Sequence, residues 1–146
     1  MLIPDVNILI YAHRWDDQNH EYYREWLERL AKRGPPFAIS ALVAVASVGV
    51  VTQSGISARS ATPLPSAIAV IETLRARFNR RFLEPAPPRH WSIFPSCAET
   101  RKARGKLVTD AHRAALAIEH AGTGDTRDPN FHAFEPAGLQ LEVLKP

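Results

Sequence analysis

Cysteine is nearly missing from this chain: Cys97 is the single one among 146 residues. One thiol closes no internal disulfide and builds no cysteine-cluster zinc site, so a metal bound here must be held mostly by oxygens. No run of about 18 consecutive apolar residues occurs, and the longest candidate, Ala41 to Val51, is too short to span a bilayer. The N-terminus has neither the basic region nor the cleavage site of a secretory leader, and a cytoplasmic location is the expectation. What is present suits an ordinary globular protein: 45% hydrophobic and 23% charged residues, in a length that favours one domain, 1–146, with its own core. A formal net charge of +3 and a pI near 9.4 are mildly favourable to a polyanionic partner such as nucleic acid.

A short apolar run, Leu2-Ile3-Pro4, leads into Asp5, and a second, Ile8-Leu9-Ile10, follows Asn7. This reads as a buried strand handing over to a short helix from Asn7 to Arg14. A second helix is expected from about His20 to Arg33, with Tyr23, Trp26, Leu27, Leu30 and Ala31 on one face, ended by Gly34-Pro35-Pro36. Phe37-Ala38-Ile39 reads as a strand, and Ser40 as the cap of a helix from Ala41 to about Gln53. That helix is apolar nearly all round, which calls for burial within the domain or in a subunit interface. Gly55 to Ala61 reads as a loop, and Thr62-Pro63 restarts a helix carrying Ala67, Ile68, Ile71, Leu74 and Phe78.

Farther on, Arg80 to Glu84 is a strand candidate, followed by a proline-rich connection, Pro85 to Pro88. His90 to about Lys102 has helical patterning that Pro95 threatens to break. Thr109 is read as the cap of a last helix, Asp110 to Ala121. Gly122 to Asn130 looks irregular, and Leu139 to Val143 alternates as a closing edge strand does. Strands interleaved with helices predict a three-layer α/β domain, a short parallel sheet flanked by helices.

The polar residues with the strongest context are acids. Asp5 stands where a strand meets a helix, and Asp110 at the expected start of another helix, positions that favour negative charge. In parallel α/β sheets, ligands collect in the crevice at the carboxyl ends of the strands. Asp128, with Asp125 just before it, is a third contributor from the segment after the last long helix. Taken alone, Asp5 is equally well read as a helix cap, and Asp125 and Asp128 are better read as capping or solvated acids.

Four segments together resemble a known family. They are Leu2-Ile3-Pro4-Asp5-Val6-Asn7-Ile8-Leu9-Ile10-Tyr11-Ala12-His13-Arg14, Pro88 to Phe94, Leu107-Val108-Thr109-Asp110-Ala111 through Ala114 to His120, and Phe131 to Phe134. In order and separation they resemble the PIN-domain ribonuclease toxins of the VapC type, over nearly the whole chain. The resemblance implies an endoribonuclease toxin dependent on Mg2+ or Mn2+, cutting single-stranded or looped RNA and silenced by a cognate antitoxin. Carried over by position, it implies Asp5, Asp110 and Asp128 as metal ligands and catalytic acids, with Asn7 shaping the site. Hard divalent cations take oxygen ligands, and an ion held by carboxylates activates water against a phosphodiester.

The chain also departs from that pattern. The family places a glutamate in its buried helix, directly after the opening serine or a little over a turn later, where this chain has Ala41 and Ala46. A methyl group ligates nothing. Three explanations stay open: an engineered inactivating change, a natural member that binds partners without cutting RNA, or compensation by another acid, for which Asp125 is the candidate. Asn130 replaces a further aspartate and offers an amide oxygen without charge.

Arg101, Lys102, Arg104, Lys106 and Arg113 surround Asp110 in sequence and suit RNA phosphates as well as a solvated helix face. Trp15, Trp26, Tyr22 and Tyr23 are better read as core or antitoxin contacts than as base-stacking platforms. The resemblance further implies an apolar groove for an amphipathic antitoxin segment. The apolar helix from Ala41 suits a homodimer.

Overall fold

Three parallel strands in the order β1–β2–β3 form the sheet of the computed structural model, which describes residues 1–54, 61–76 and 82–146. The strands are β1 (Leu2–Pro4), β2 (Thr123–Thr126) and β3 (Gln140–Val143). β1 lies in register with β2 through Leu2 opposite Thr123 and Pro4 opposite Asp125; β2 meets β3 through Asp125 opposite Glu142. The described helices are α1 (Val6–His13), α2 (His20–Arg33), α3 (Ala41–Thr52), α4 (Leu64–Ala76), α5 (Pro87–Thr100) and α6 (Lys106–Glu119), with a 3₁₀ helix over Pro129–Ala137. Among the described residues, no helix is long and apolar enough to cross a membrane.

The chain divides into two compact units, Met1–Asp5 with Glu84–Lys145, and Val6–Leu83 with Pro146. The first holds the sheet, α5, α6 and the 3₁₀ helix. α6 offers a nearly continuous small-residue surface, Ala111, Ala114, Ala115 and Ala117, all buried, and α5 packs along it with Cys97 fully enclosed. Phe131 and Phe134 of the 3₁₀ helix meet edge to face at 5.5 Å and close the core beside Leu139. Glu119 is buried on α6 and accepts hydrogen bonds from the Ala86 backbone at 2.6 Å and faces His90 Nδ1 at 2.9 Å. This tie fixes the start of α5 against the end of α6.

Several elements differ from the sequence expectation. β2 forms from Thr-Gly-Asp-Thr, poor strand material, because parallel partners on both sides supply its hydrogen bonds. α5 continues through Pro95; the carbonyl that the proline leaves without its helical donor is that of Trp91, an exposed residue. α6 begins at Lys106 after Gly105, whose φ of +54° suits glycine, so Thr109 is an interior helix residue and not a cap. Among the described residues, the strands expected at Phe37–Ile39 and near Leu83 reduce to isolated bridge positions, Phe37 being one and Ser40 pairing with Leu83 in parallel. The expected strand residues Arg80 and Arg81, the helix-face residue Phe78 and the loop 55–60 lie outside the described residues.

The second unit is helical. Tyr23 is completely buried and stacks on Tyr11 at 5.5 Å, which makes it a core residue and not a base platform. The outer face of α2 carries Arg24 between Glu21 at 2.7 Å and Glu28 at 2.5 Å, the spacing at which helix-surface charges meet. α3 is capped as expected by Ser40, whose hydroxyl accepts from the Val43 backbone at 3.1 Å. Its apolar surface is only partly covered: Val43 and Ala44 are buried, whereas Val45 is 72% exposed.

Candidate active site

Asp5 directly follows β1, and its backbone N–H donates to the Asp125 carbonyl at 2.8 Å, carrying the pairing one residue past the strand. Thr126 ends β2 beside it and donates its hydroxyl to Asp5 Oδ2 at 2.9 Å. The same Thr126 oxygen accepts from the Asp128 backbone at 3.1 Å, turning the chain out of the strand. Thus the carboxyl ends of two neighbouring strands are locked together by one threonine, to which the sequence reading gave no role. A small hydroxyl residue two positions before Asp128 was the available signal.

Asp110 enters from α6, five residues into the helix and not at its start. Arg113 follows one turn later on the same face. Its Nη1 donates to Asp5 and its Nη2 to Asp110, so a single guanidinium joins the strand-end acid to the helix acid. The three side chains are 7%, 11% and 17% exposed for Asp5, Asp110 and Arg113. The Phe131 ring lies 5.3 Å from the guanidinium carbon, giving the cation an aromatic floor. Burial lowers the Arg113 pKa to about 10, against the pull of Asp128, and leaves it cationic at neutral pH. Burial pushes the Asp110 carboxyl above its ordinary value, with Asp128 adding to the shift and Lys106 and Arg101 opposing it.

Asp128 stands at the edge of this centre as the cap of the 3₁₀ helix, its Oδ1 accepting from the Asn130 backbone at 2.9 Å and the Asn130 side-chain amide at 2.7 Å. Asn130 is exposed and acts here as a donor to Asp128. Asp125 is not gathered with the others. Alternation along β2 turns its side chain to the face opposite Thr126, where it is completely buried with no hydrogen-bond partner for either oxygen. Burial, and then the charge of Glu142, raise its pKa to about 7. Compensation for Ala41 by Asp125 is therefore not what this arrangement provides.

Of the basic residues expected at the surface, Lys102, Arg104 and Lys106 are exposed and Arg101 half-buried. Arg113 is the exception, turned inward because two carboxylates claim its guanidinium. Asn7 and Ala41 belong to the helical unit, at the second position of α1 and the first of α3, each partly exposed. The arrangement does not fit a resident magnesium or manganese ion: a guanidinium spans the two closest acids, and Asp128 is turned to Asn130. Among the described residues no group of three or more His, Cys, Asp or Glu side chains is placed to hold a metal.

The PIN domain family matches residues 2–135. Ribonuclease VapC43 of Mycobacterium tuberculosis is 37% identical over 134 residues, spanning 92% of this chain and 90% of that protein. Ribonuclease VapC25 of the same organism is 31% identical, spanning 92% and 93%. Among solved structures, VapBC2 from Rickettsia felis bound to a DNA fragment from its promoter has a chain with a TM-score of 0.66 at 20% identity, covering 99% of this chain and 98% of that one. FitAcB from Neisseria gonorrhoeae has one with a TM-score of 0.60 at 19% identity, covering 97% and 96%. These two share the fold. With the family matched from β1 through most of the 3₁₀ helix, and relatives alike over nine-tenths of their own length, the chain belongs to the PIN-domain family and, within it, to the VapC ribonucleases.

Proposed function

We propose that this chain is the toxin of a toxin–antitoxin pair, an endoribonuclease of single-stranded or looped RNA whose acidic centre is Asp5, Asp110 and Asp128. The observation that carries the reading is the meeting of Asp5 and Asp110 at the carboxyl ends of parallel strands, with Lys106 and Arg101 in the field of Asp110 and Lys102 and Arg104 exposed nearby in sequence. Those exposed cations suit RNA phosphates, giving affinity without sequence choice. Mg2+ or Mn2+ is the cofactor class in keeping with the family, in a state of the site other than the Arg113-bridged one described.

The antitoxin reading has its support in the helical unit. There an apolar groove of about 200 Å3 is lined by Leu9, Leu27, Val48, Ala67, Ile71 and Leu74, a surface suited to an amphipathic segment. The exposed side chains Val45, Leu64 and Ile68 suit a homodimer interface.

The test is RNA cleavage by the purified full chain and by Arg113→Leu, with Mn2+, on single-stranded and stem-loop RNAs. Slow cleavage by the natural chain, faster cleavage by Arg113→Leu and none by Arg113→Leu combined with Asp5→Asn is the expected pattern. Adding Ala41→Glu to Arg113→Leu should raise the rate again. If none of these proteins cuts RNA while Arg113→Leu binds manganese, the ribonuclease reading fails.

A further inference from the structure

We propose that Arg113 is the resident cation of the acidic centre: its guanidinium stands between Asp5 and Asp110 and keeps divalent metal out. The inference rests on the acidic centre named above but concerns what neutralises it, and it stands or falls without reference to RNA.

The geometry is that of a bridge. Each Nη of Arg113 serves a different carboxylate, one from the end of β1 and one from α6. A rigid, planar, permanently charged fork can link two acids in this manner, whereas a lysine supplies a single point charge. Asp5 has its second oxygen taken by the Thr126 hydroxyl at 2.9 Å, so both of its oxygens are already engaged. Asp110 and Arg113 are three residues apart on one helix, so the cation is anchored beside its acid by helix spacing. Phe131 covers the guanidinium from the 3₁₀ helix.

Charge balance points the same way. Asp5, Asp110 and Asp128 bring three negative charges, offset by Arg113 in direct contact and by Lys106 and Arg101 in the field of Asp110. A dication entering between Asp5 and Asp110 would have to displace the guanidinium from both carboxylates. Metal affinity is therefore low in the natural chain and rises when the arginine is removed.

The experiment uses the full chain stripped with EDTA. Mn2+ binding is read from the loss of the free-ion electron paramagnetic resonance signal, and thermal unfolding is followed in EDTA and in Mn2+. The natural chain should show no saturable binding below about 1 mM Mn2+ and the same unfolding temperature in both solutions. Arg113→Leu should bind manganese roughly tenfold tighter or more, and its unfolding temperature should rise with the metal. Asp5→Asn on that background should abolish both gains.

Saturable binding by the natural chain below about 1 mM Mn2+, or a folded Arg113→Leu protein that binds no better, overturns the proposal. If Arg113→Leu fails to fold, nitrogen-15 spectra of the arginine side chains in the natural chain decide it. The Arg113 signals, assigned by their loss in Arg113→Lys, should be unmoved by Mg2+ up to about 10 mM. A saturable shift of those signals would overturn it.

Discussion

Replacing Asp125 by valine should stabilise the protein, and by an amount that grows with pH. Asp125 sits in the middle strand, 0% exposed, with both carboxylate oxygens unpartnered and Glu142 in register beside it. Its pKa rises from the ordinary 3.8 to about 7. In the unfolded chain the group loses its proton from about pH 4 upward, whereas the folded chain keeps it to about pH 7. Between those values the native state binds more protons than the unfolded state, so stability falls as pH rises and levels off above pH 7. At about 1.4 kcal/mol per pH unit, the penalty is roughly 2 kcal/mol at pH 5 and about 4 kcal/mol at pH 8. Valine carries no charge and favours strands. Urea unfolding of both proteins at pH 5, 6, 7 and 8 should show the advantage of Asp125→Val widening by about 2 kcal/mol across that range. At pH 8 the midpoint of thermal unfolding should rise by roughly 10 °C. Parallel pH profiles, or a variant less stable than the natural chain at pH 8, would refute the argument.

Two further substitutions test the packing around the centre. Glu119→Ala removes the buried acceptor shared by the amide of exposed Ala86 and the buried His90, and should cost about 3 kcal/mol in urea unfolding, with Glu119→Gln costing less. Ser40→Ala removes the hydroxyl that caps α3 and should cost about 1 kcal/mol, read as a lower urea midpoint with an unchanged slope.

The parts of the fold legible in the sequence were those where one local signal dominates. Leu2-Ile3-Pro4 ending in Asp5, the helical stripe through Tyr23 and Leu30, and Ser40 before an apolar helix each carry their own explanation. Thr123 to Thr126 did not, because β2 owes its conformation to two neighbours far away in sequence, and a glycine and an acid conceal it from any local pattern. The start of α6 was misplaced for a related reason: Thr109 looks like a cap, but the backbone of Gly105 begins the helix a turn earlier.

The same distinction governs the site. Asp5 and Asp110 could be nominated because each sits in a recognisable local context, and the fold joins them. Arg113 was visible in the sequence only as one of five basic residues around Asp110. Its role depends on a strand end 108 positions earlier in the chain arriving within reach of its guanidinium. Asp125 makes the converse point, since adjacency in sequence to Asp128 suggested a shared site while the two-residue period of β2 sends the side chain to the other face. Proximity along the chain thus misled for Asp125, and distance along it concealed Arg113. What decides both is the same register, Pro4 opposite Asp125, which carries Asp5 to Thr126 and turns Asp125 away from them.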